Sequence, residues 1–390
     1  IRDYAEYVPL ERELFDLIII DEASQGSIAQ ALPAFIRAKK VLVLGDRNQF
    51  SNVKTNNASK AINQSYQARI LEQFRQQAEP DVAMLNQIKM FDIKTSVLEF
   101  VERIANLKIM LRKHFRGYPE LIGFSSRYFY GGGLQAMKIR GRPIDEVIKF
   151  RKIEHDGLHE ISGNTNSLEA KAIVERLREL SDLESVPDVC VITPFNEQQR
   201  LIHQEIQNLS GGQDLVEKLR LRIFTFDTCQ GEEADICIYS MVASPLKDRL
   251  NYIFAKDISK SDEVEENLRL QRLNVGFSRA KECMEIYHSK DISDMSGGIQ
   301  IALNHYQNEL EKGRKGPEVS DVDPNSPMEL QVLNWLRDVP LFDELDDQVE
   351  VDAQFELGAY LNQLDPTYQH PNYKVDFLVK VTGDRETAQI

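Results

Sequence analysis

LFDLIIIDEASQ at residues 14–25, followed by VLVLGDRNQ at 41–49, decides the reading of this chain. Each is an apolar run of strand length that ends abruptly, the first in Asp21-Glu22 and the second in Gly45-Asp46. Uninterrupted Leu, Ile and Val is the pattern of a parallel strand buried on both faces. Such a strand delivers the residues that follow it to the edge of its sheet. Two adjacent carboxylates there can divide labour, one holding Mg²⁺ and its neighbour positioning or deprotonating the water that attacks a phosphoryl group. Alone, the pair is equally readable as an acidic turn after a core strand. At the second exit Gly45 permits a tight turn, and the Gln49 amide can donate to phosphate while accepting from water. No G-x-x-x-x-G-K-[ST] phosphate loop occurs in the 390 residues. Without its lysine and backbone amides, this stretch is not expected to bind ATP well by itself.

The length predicts two or three domains. With 42% hydrophobic and 28% charged residues the composition is that of a globular protein, and no apolar run approaches the length that crosses a bilayer, so no membrane partner is expected. The chain starts at Ile1 without a signal-like segment and stops within a strand–turn pattern, so both ends are expected to be cuts. A net charge of −15 argues against coating nucleic acid by overall basicity, yet leaves room for a local basic groove. Cys190, Cys229, Cys237 and Cys283 show no C-x-x-C spacing; the three in strand-like runs, Cys190, Cys237 and Cys283, read as small buried hydrophobes, and a reducing cytoplasm fits best. His155 and His159 flank Gly157 and read as loop residues.

The fold class read from these patterns is α/β. LIIID and VLVLGD enclose a helix-like stretch at SIAQALPAFIRA, residues 52–92 run polar as an inserted helical arm or lid, and amphipathic spacing resumes over 96–107. From Lys108 onward come IGFSSRYFY, a strand at VCVIT, a helix at EQQRLIHQEI, strands at LRIFTF and ICIYSMV, a helix near LQRLNVGFSRA and a strand at CMEIYH. Strands interleaved with helices predict a parallel sheet covered on both faces. Gly131-Gly132-Gly133 leads to no helix and reads as a turn, and 245–266 reads as an exposed acidic loop. Residues 312–327 have linker composition; beyond them MELQVLNWL reads as a helix, with strands in LDDQVEVDAQFELGAYL and YKVDFLVKV.

DEAS, GDRNQ, LRKHFRGYPEL, VITPFNEQQ, TFDTCQGEE and NVGFSRA stand in one order. This series resembles motifs II to VI of superfamily 1 helicases, in the branch of the nonsense-mediated-decay RNA helicase and related DNA helicase–nucleases, over residues 14 to about 290. The resemblance implies tandem RecA-like parallel sheets covered by helices: the end of one motor domain at 1–107 and a second at 108–311. It implies ATP and Mg²⁺ as cofactors, single-stranded nucleic acid as partner (DNA ahead of RNA), and 5′-to-3′ movement. Asp21 becomes the metal ligand, Glu22 the residue that activates water and Gln49 a sensor of phosphate state. Arg116 and Arg279 match arginines that stabilise charge on the phosphoryl oxygens, which a planar guanidinium can bind two at a time. Gln230, Gly231 and Glu233 match a Q-G-x-E segment near the nucleotide sugar or the arginine finger, with Glu232 a solvated neighbour. Thr193, Asn196, Thr225 and Thr228 match contacts to the nucleic-acid backbone, although capping of strand ends reads equally well for any single Thr. The chain departs from the family at Tyr118, usually His, and at Gly276, usually Ala.

After the linker, SPMELQV and KVDFLV resemble the start of a restriction-endonuclease-like (PD-(D/E)xK) domain of the very-short-patch-repair type, at 328–390. Glu329 and Asp376 match its first two metal-holding acids; the acid-x-Lys strand would begin at ETAQI, where the chain stops. A small accessory domain with solvated acids is the alternative. Two rival functions stand beside the motor: a nucleotide-gated binding switch that moves nothing, and a nuclease that the motor merely loads.

Overall fold

The computed structural model describes residues 7–50, 95–259, 264–315, 321–337 and 349–381, apart from 139, 141, 366 and 371, together with positions 65, 68, 69 and 72. Nearly all of the expected insertion at 52–92, and the ETAQI segment, lie outside the described residues. The chain divides into two compact units, residues 1–110 with 262–271, and residues 111–261 with 272–390.

In the first unit β1 (Phe15–Ile20), α1 (Ile28–Ile36) and β2 (Ala38–Val43) form a β-α-β element whose strands pair in parallel, Ile20 opposite Val43. Helix α2 (Val97–Ile104) is capped by Ser96, whose Oγ accepts from Glu99 N at 3.1 Å. Ile18, Ile20 and Val43 pack with Ala31 and Val97 of the helices. The expectation of a strand buried on both faces needs correcting. Successive side chains of a strand alternate faces, and Leu17, Ile19 and Leu42, on the other face, are exposed. The described residues of this unit cover one side only.

The second unit contains β3 (Lys113–His114), α3 (Pro119–Phe129), β4 (Gln135–Ala136), α4 (Ile144–Val147), β5 (Ile148–Lys152), α5 (Ser167–Ser181), β6 (Val189–Thr193), α6 (Asn196–Gln207), α7 (Gly212–Lys218), β7 (Arg222–Thr225), β8 (Ala234–Ser240), the end of α8 (Val264–Phe277) from residue 272, β9 (Ala280–His288) and α9 (Gly297–Lys315). Five of its strands make one all-parallel sheet in the order β5-β9-β8-β6-β7. An aliphatic core fills one face, where Ile173 and Leu177 of α5 and Ile202 and Ile206 of α6 meet Val189, Val191 and Ile238. The other face is aromatic: Phe124 of α3, Phe277 of α8 and Tyr306 of α9 contact one another, and Phe277 also meets Phe226 and Tyr239. IGFSSRYFY thus lies in a helix, opened by Pro119 and closed by Gly131 and Gly132 at φ 60° and 73°.

All four cysteines are buried free thiols, Cys190 and Cys237 lying opposite each other with sulfurs 3.0 Å apart. Helix α9 runs into the expected linker as far as Lys315, and Val322 beyond it is buried. Then come α10 (Pro327–Arg337), β10 (Val349–Phe355), α11 (Leu357–Leu364) and β11 (Val375–Val381), the two strands antiparallel. Glu350 of β10 receives the buried Arg140 guanidinium at 2.6 Å, and Glu120 receives it at 2.9 Å. No described helix is long and apolar enough to cross a membrane.

Candidate nucleotide and nucleic-acid sites

In the first unit the two strand exits are stitched together. Leu44 N donates to Ile20 O at 2.8 Å, and Ala23 N donates to Leu44 O at 2.9 Å. A Cβ at Gly45 would lie 3.3 Å from the backbone nitrogens of Ala23 and Ser24, so the second exit is glycine because the first passes against it. Asp21 and Glu22 are exposed at this edge. Asp21 Oδ1 accepts from Glu22 N at 2.8 Å, and Glu22 holds φ 50°, an uncommon backbone state for a residue with a side chain. Gln25 Nε2 donates to Glu22 Oε2 at 3.1 Å, and Gln49 Nε2 to Asp46 Oδ2 at 3.1 Å. Mg²⁺ bound with a nucleotide takes one or two carboxylates and otherwise water and phosphate. The exposed Asp21 suits that role. Among the described residues no group of three or more acids, histidines or cysteines is arranged to hold a metal.

In the second unit the charged residues gather where β8 and β9 begin. Arg116 Nε lies 2.5 Å from Glu233 Oε2, and Lys281 Nζ lies 2.9 Å from Glu233 Oε1. The bond from Lys281 and the charge of Arg116 outweigh burial and hold the Glu233 carboxyl below the usual range. The Arg116 loop is braced twice. Gly117 N donates to His114 Nε2 at 3.1 Å, and a Cβ on Gly117 would come within 2.9 Å of Ala280 O. Burial, helped by the Arg116 charge, pushes the His114 pKa down to about 4, which suits a ring nitrogen that must accept. Gly231 sits at φ 80° in the Gln230–Glu233 turn.

Arg279 is buried. Its Nε donates to Val275 O at 2.6 Å and its Nη1 to Glu232 O at 3.2 Å, so in this structure the guanidinium ties the end of α8 to the Q-G-x-E turn. Glu232, expected to be solvated, is partly exposed and pairs with Arg222 at 2.5 Å.

The four residues matched to backbone contacts lie at or just past the carboxyl ends of β6 and β7, the edge of the sheet opposite the Arg116 cluster. Asn196 opens α6 and is exposed, as is Thr228. Thr193 and Thr225 are buried; Thr225 N donates to Thr228 Oγ1 at 3.0 Å. Sequence reasoning missed what lies beneath this edge. The fully buried Glu169 accepts from Ser240 Oγ at 2.7 Å, Val242 N at 2.9 Å and Asn166 Nδ2 at 3.1 Å, while Gln198 bonds Asn166 and Ser240. Burial pushes the Glu169 pKa up to about 8. The N-x-x-E spacing of a helix start, Asn166 to Glu169, was the available signal; it marks the cap but not the burial.

Near the carboxyl end Glu329 of α10 is buried. It accepts from Asp323 N at 3.1 Å and Gln354 Nε2 at 2.6 Å. Asp376 is exposed on β11, between Val375 and Phe377, which pair with Phe355 and Ala353 of β10.

Residues 93–291 match the family model described as AAA domain, just over half of the chain. A Mycoplasma pneumoniae protein, Uncharacterized ATP-dependent helicase MG140 homolog, is 27% identical over 74% of this chain and 24% of its own length. The human DNA replication ATP-dependent helicase/nuclease DNA2 is 24% identical over 76% of this chain and 27% of its own. The chain thus spans about a quarter of the length of these relatives. Among solved structures, an arterivirus nonstructural protein 10 (helicase) aligns over 69% of this chain and 38% of its own at 13% identity, with a TM-score of 0.30. A parallel sheet flanked by helices and a match of this extent place the chain in the AAA domain family, a helicase-like ATPase family.

Proposed function

We propose that this chain is the carboxyl-terminal part of an ATP-driven superfamily 1 motor that moves along single-stranded nucleic acid, with a nuclease-like unit behind it. The observation that carries the reading is the meeting of Arg116 and Glu233, two charged residues from separate motifs, at 2.5 Å. A guanidinium held in place but still partly exposed suits charge that develops on phosphoryl oxygens. The exposed acids at the end of β1 and the exposed Asn196 and Thr228 support the same reading. The human relative's name favours DNA.

Bound with ATP, Mg²⁺ supplies charge neutralisation at the phosphates, and Asp21 is the residue that would hold it. Glu22 positions the attacking water and takes its proton. Gln49 reads the state of the phosphate. Arg116, steadied by Glu233 and Lys281, binds the oxygens on which charge grows, and Arg279 joins it on exchanging carbonyl partners for phosphate. Asn196 and Thr228 grip the strand through its phosphates, without reading sequence.

The test is ATP hydrolysis by the full-length protein with and without single-stranded DNA. Stimulated hydrolysis should fall by roughly 10² or more in Glu22→Gln. A robust stimulated rate in that variant would sink the catalytic assignment. Stimulated hydrolysis without strand displacement would favour the switch over the motor.

A further inference from the structure

We propose that Tyr252 is a stacking platform for a base of single-stranded nucleic acid, an inference that rests on the nucleic-acid reading above. The loop leaving β8 was expected to be merely exposed and acidic. Its centre is instead anchored. The 3₁₀ turn Leu250–Tyr252 opens on Asp248, whose carboxylate accepts from Leu250 N at 2.9 Å and pairs with Lys290 at 2.8 Å. Leu250 and Phe254 are buried to within 1% of full coverage, while Tyr252 between them is 71% exposed. The turn therefore cannot fold the ring inward without pulling two core residues out.

This turn is fastened to both parts of the candidate nucleic-acid edge. Phe254 packs edge-on against Phe226, ring centres 4.8 Å apart, and Phe226 directly follows Thr225. Arg272 donates to Ile253 O at 2.8 Å and to Asp227 Oδ1 at 2.7 Å, so it clamps the turn to the segment between Thr225 and Thr228. On the other side Arg249 donates to Asn164 Oδ1 at 3.3 Å, and Asn164 donates to Glu197, the neighbour of Asn196, at 3.2 Å. Gly163 makes room for this arm, because a Cβ there would sit 3.0 Å from the Arg249 guanidinium carbon.

An exposed aromatic ring on an immobilised turn, braced to two phosphate-contact candidates, is what base stacking needs. The ring loses little freedom on binding, and every base offers a face. Stacking also needs no net basicity, which suits a chain of net charge −15. The ligand is single-stranded, since bases in a duplex already stack on each other.

The experiment measures fluorescence anisotropy of labelled oligothymidylate, and of an abasic oligonucleotide of equal length, with the full 390-residue chain. Tyr252→Ala should weaken binding to oligothymidylate about tenfold and leave abasic binding unchanged, and Tyr252→Phe should bind like the unmodified chain. Unchanged oligothymidylate affinity in Tyr252→Ala, or an equal loss on both ligands, overturns the proposal. If Asn196→Ala and Thr228→Ala weaken binding while Tyr252→Ala does not, the platform fails and the nucleic-acid reading survives. No binding of either oligonucleotide by the unmodified chain overturns both.

Discussion

Arg116 and Glu233 form a partly exposed ion pair, Nε to Oε2 at 2.5 Å, and Lys281 occupies the second carboxylate oxygen. Pairs as accessible as this one contribute little to stability, typically under about 1 kcal/mol. The arrangement is therefore better suited to aiming a guanidinium than to holding the fold. Arg116→Ala should leave the melting temperature nearly unchanged and cut ATP hydrolysis by the full-length protein by about 10³ or more. Arg116→Lys should not restore the rate, because the planar fork is lost. Glu233→Gln should give an intermediate loss. A large drop in melting temperature, with activity falling only in proportion to unfolded protein, would show the pair to be structural.

Gly276 stands where the resembled family usually carries Ala, and the fold explains the departure. A Cβ at that position would lie 2.2 Å from two ring carbons of Phe226. The ring fills the space of the missing methyl, in the aromatic layer with Phe254, Phe277 and Tyr239. Gly276→Ala should destabilise the second unit by about 1–3 kcal/mol through overpacking. Phe226→Leu in the same chain should recover part of that loss. Denaturant unfolding of the two single variants and the double variant measures the coupling, and strict additivity would refute the contact.

The all-parallel sheet was legible because VCVIT, ICIYS and CMEIY are short apolar runs separated by helical spacing. The acids after β1 were legible because a strand that stops at Asp-Glu has one evident place to put them. Burial was not legible. LFDLIII reads as a strand covered on both faces, yet the pleat turns Leu17 and Ile19 to a face that the described residues of its unit leave open. Thr193 and Thr225 look identical to Thr228 in sequence, and only the last is exposed. Glu169 carries the spacing of a cap on a charged helix, which in most proteins faces water; its burial depends on Ser240 and Val242, more than 70 residues later. Pairings across such separations leave no local mark.

His114 should make the second unit sensitive to acid. Its folded pKa of about 4 lies below the value of 6.5 for an exposed imidazole. The unfolded chain therefore takes up the proton first, and the contribution of His114 to stability falls as pH drops from 6.5 towards 4. His114→Gln keeps an acceptor for Gly117 N without a titrating ring. Melting temperatures at pH 7 and pH 5 should differ less in this variant than in the unmodified chain. Parallel pH dependence in both would exclude His114 as a source.

Gln354 bonds Glu329, one of the two acids proposed above for a nuclease. It donates to the buried Glu329 at 2.6 Å and does so from β10 at φ 54°, strained for any side chain. Gln354→Ala removes one of the two donors to the Glu329 carboxylate among the described residues, the other being Asp323 N, and should cost about 1–3 kcal/mol. Gln354→Gly also loses the bond but relieves the positive φ, so it should be less destabilised than Gln354→Ala, by up to about 1 kcal/mol. If this part of the chain cleaves nucleic acid, Asp376→Ala should abolish cleavage with little effect on unfolding, because Asp376 is exposed and outside the Glu329–Gln354 bond. Chemical denaturation of the three variants, beside a Mg²⁺-dependent cleavage assay of the full-length protein, separates the roles. Cleavage that persists in Asp376→Ala would remove that residue from the site, and a Gly variant less stable than the Ala variant would refute strain at Gln354.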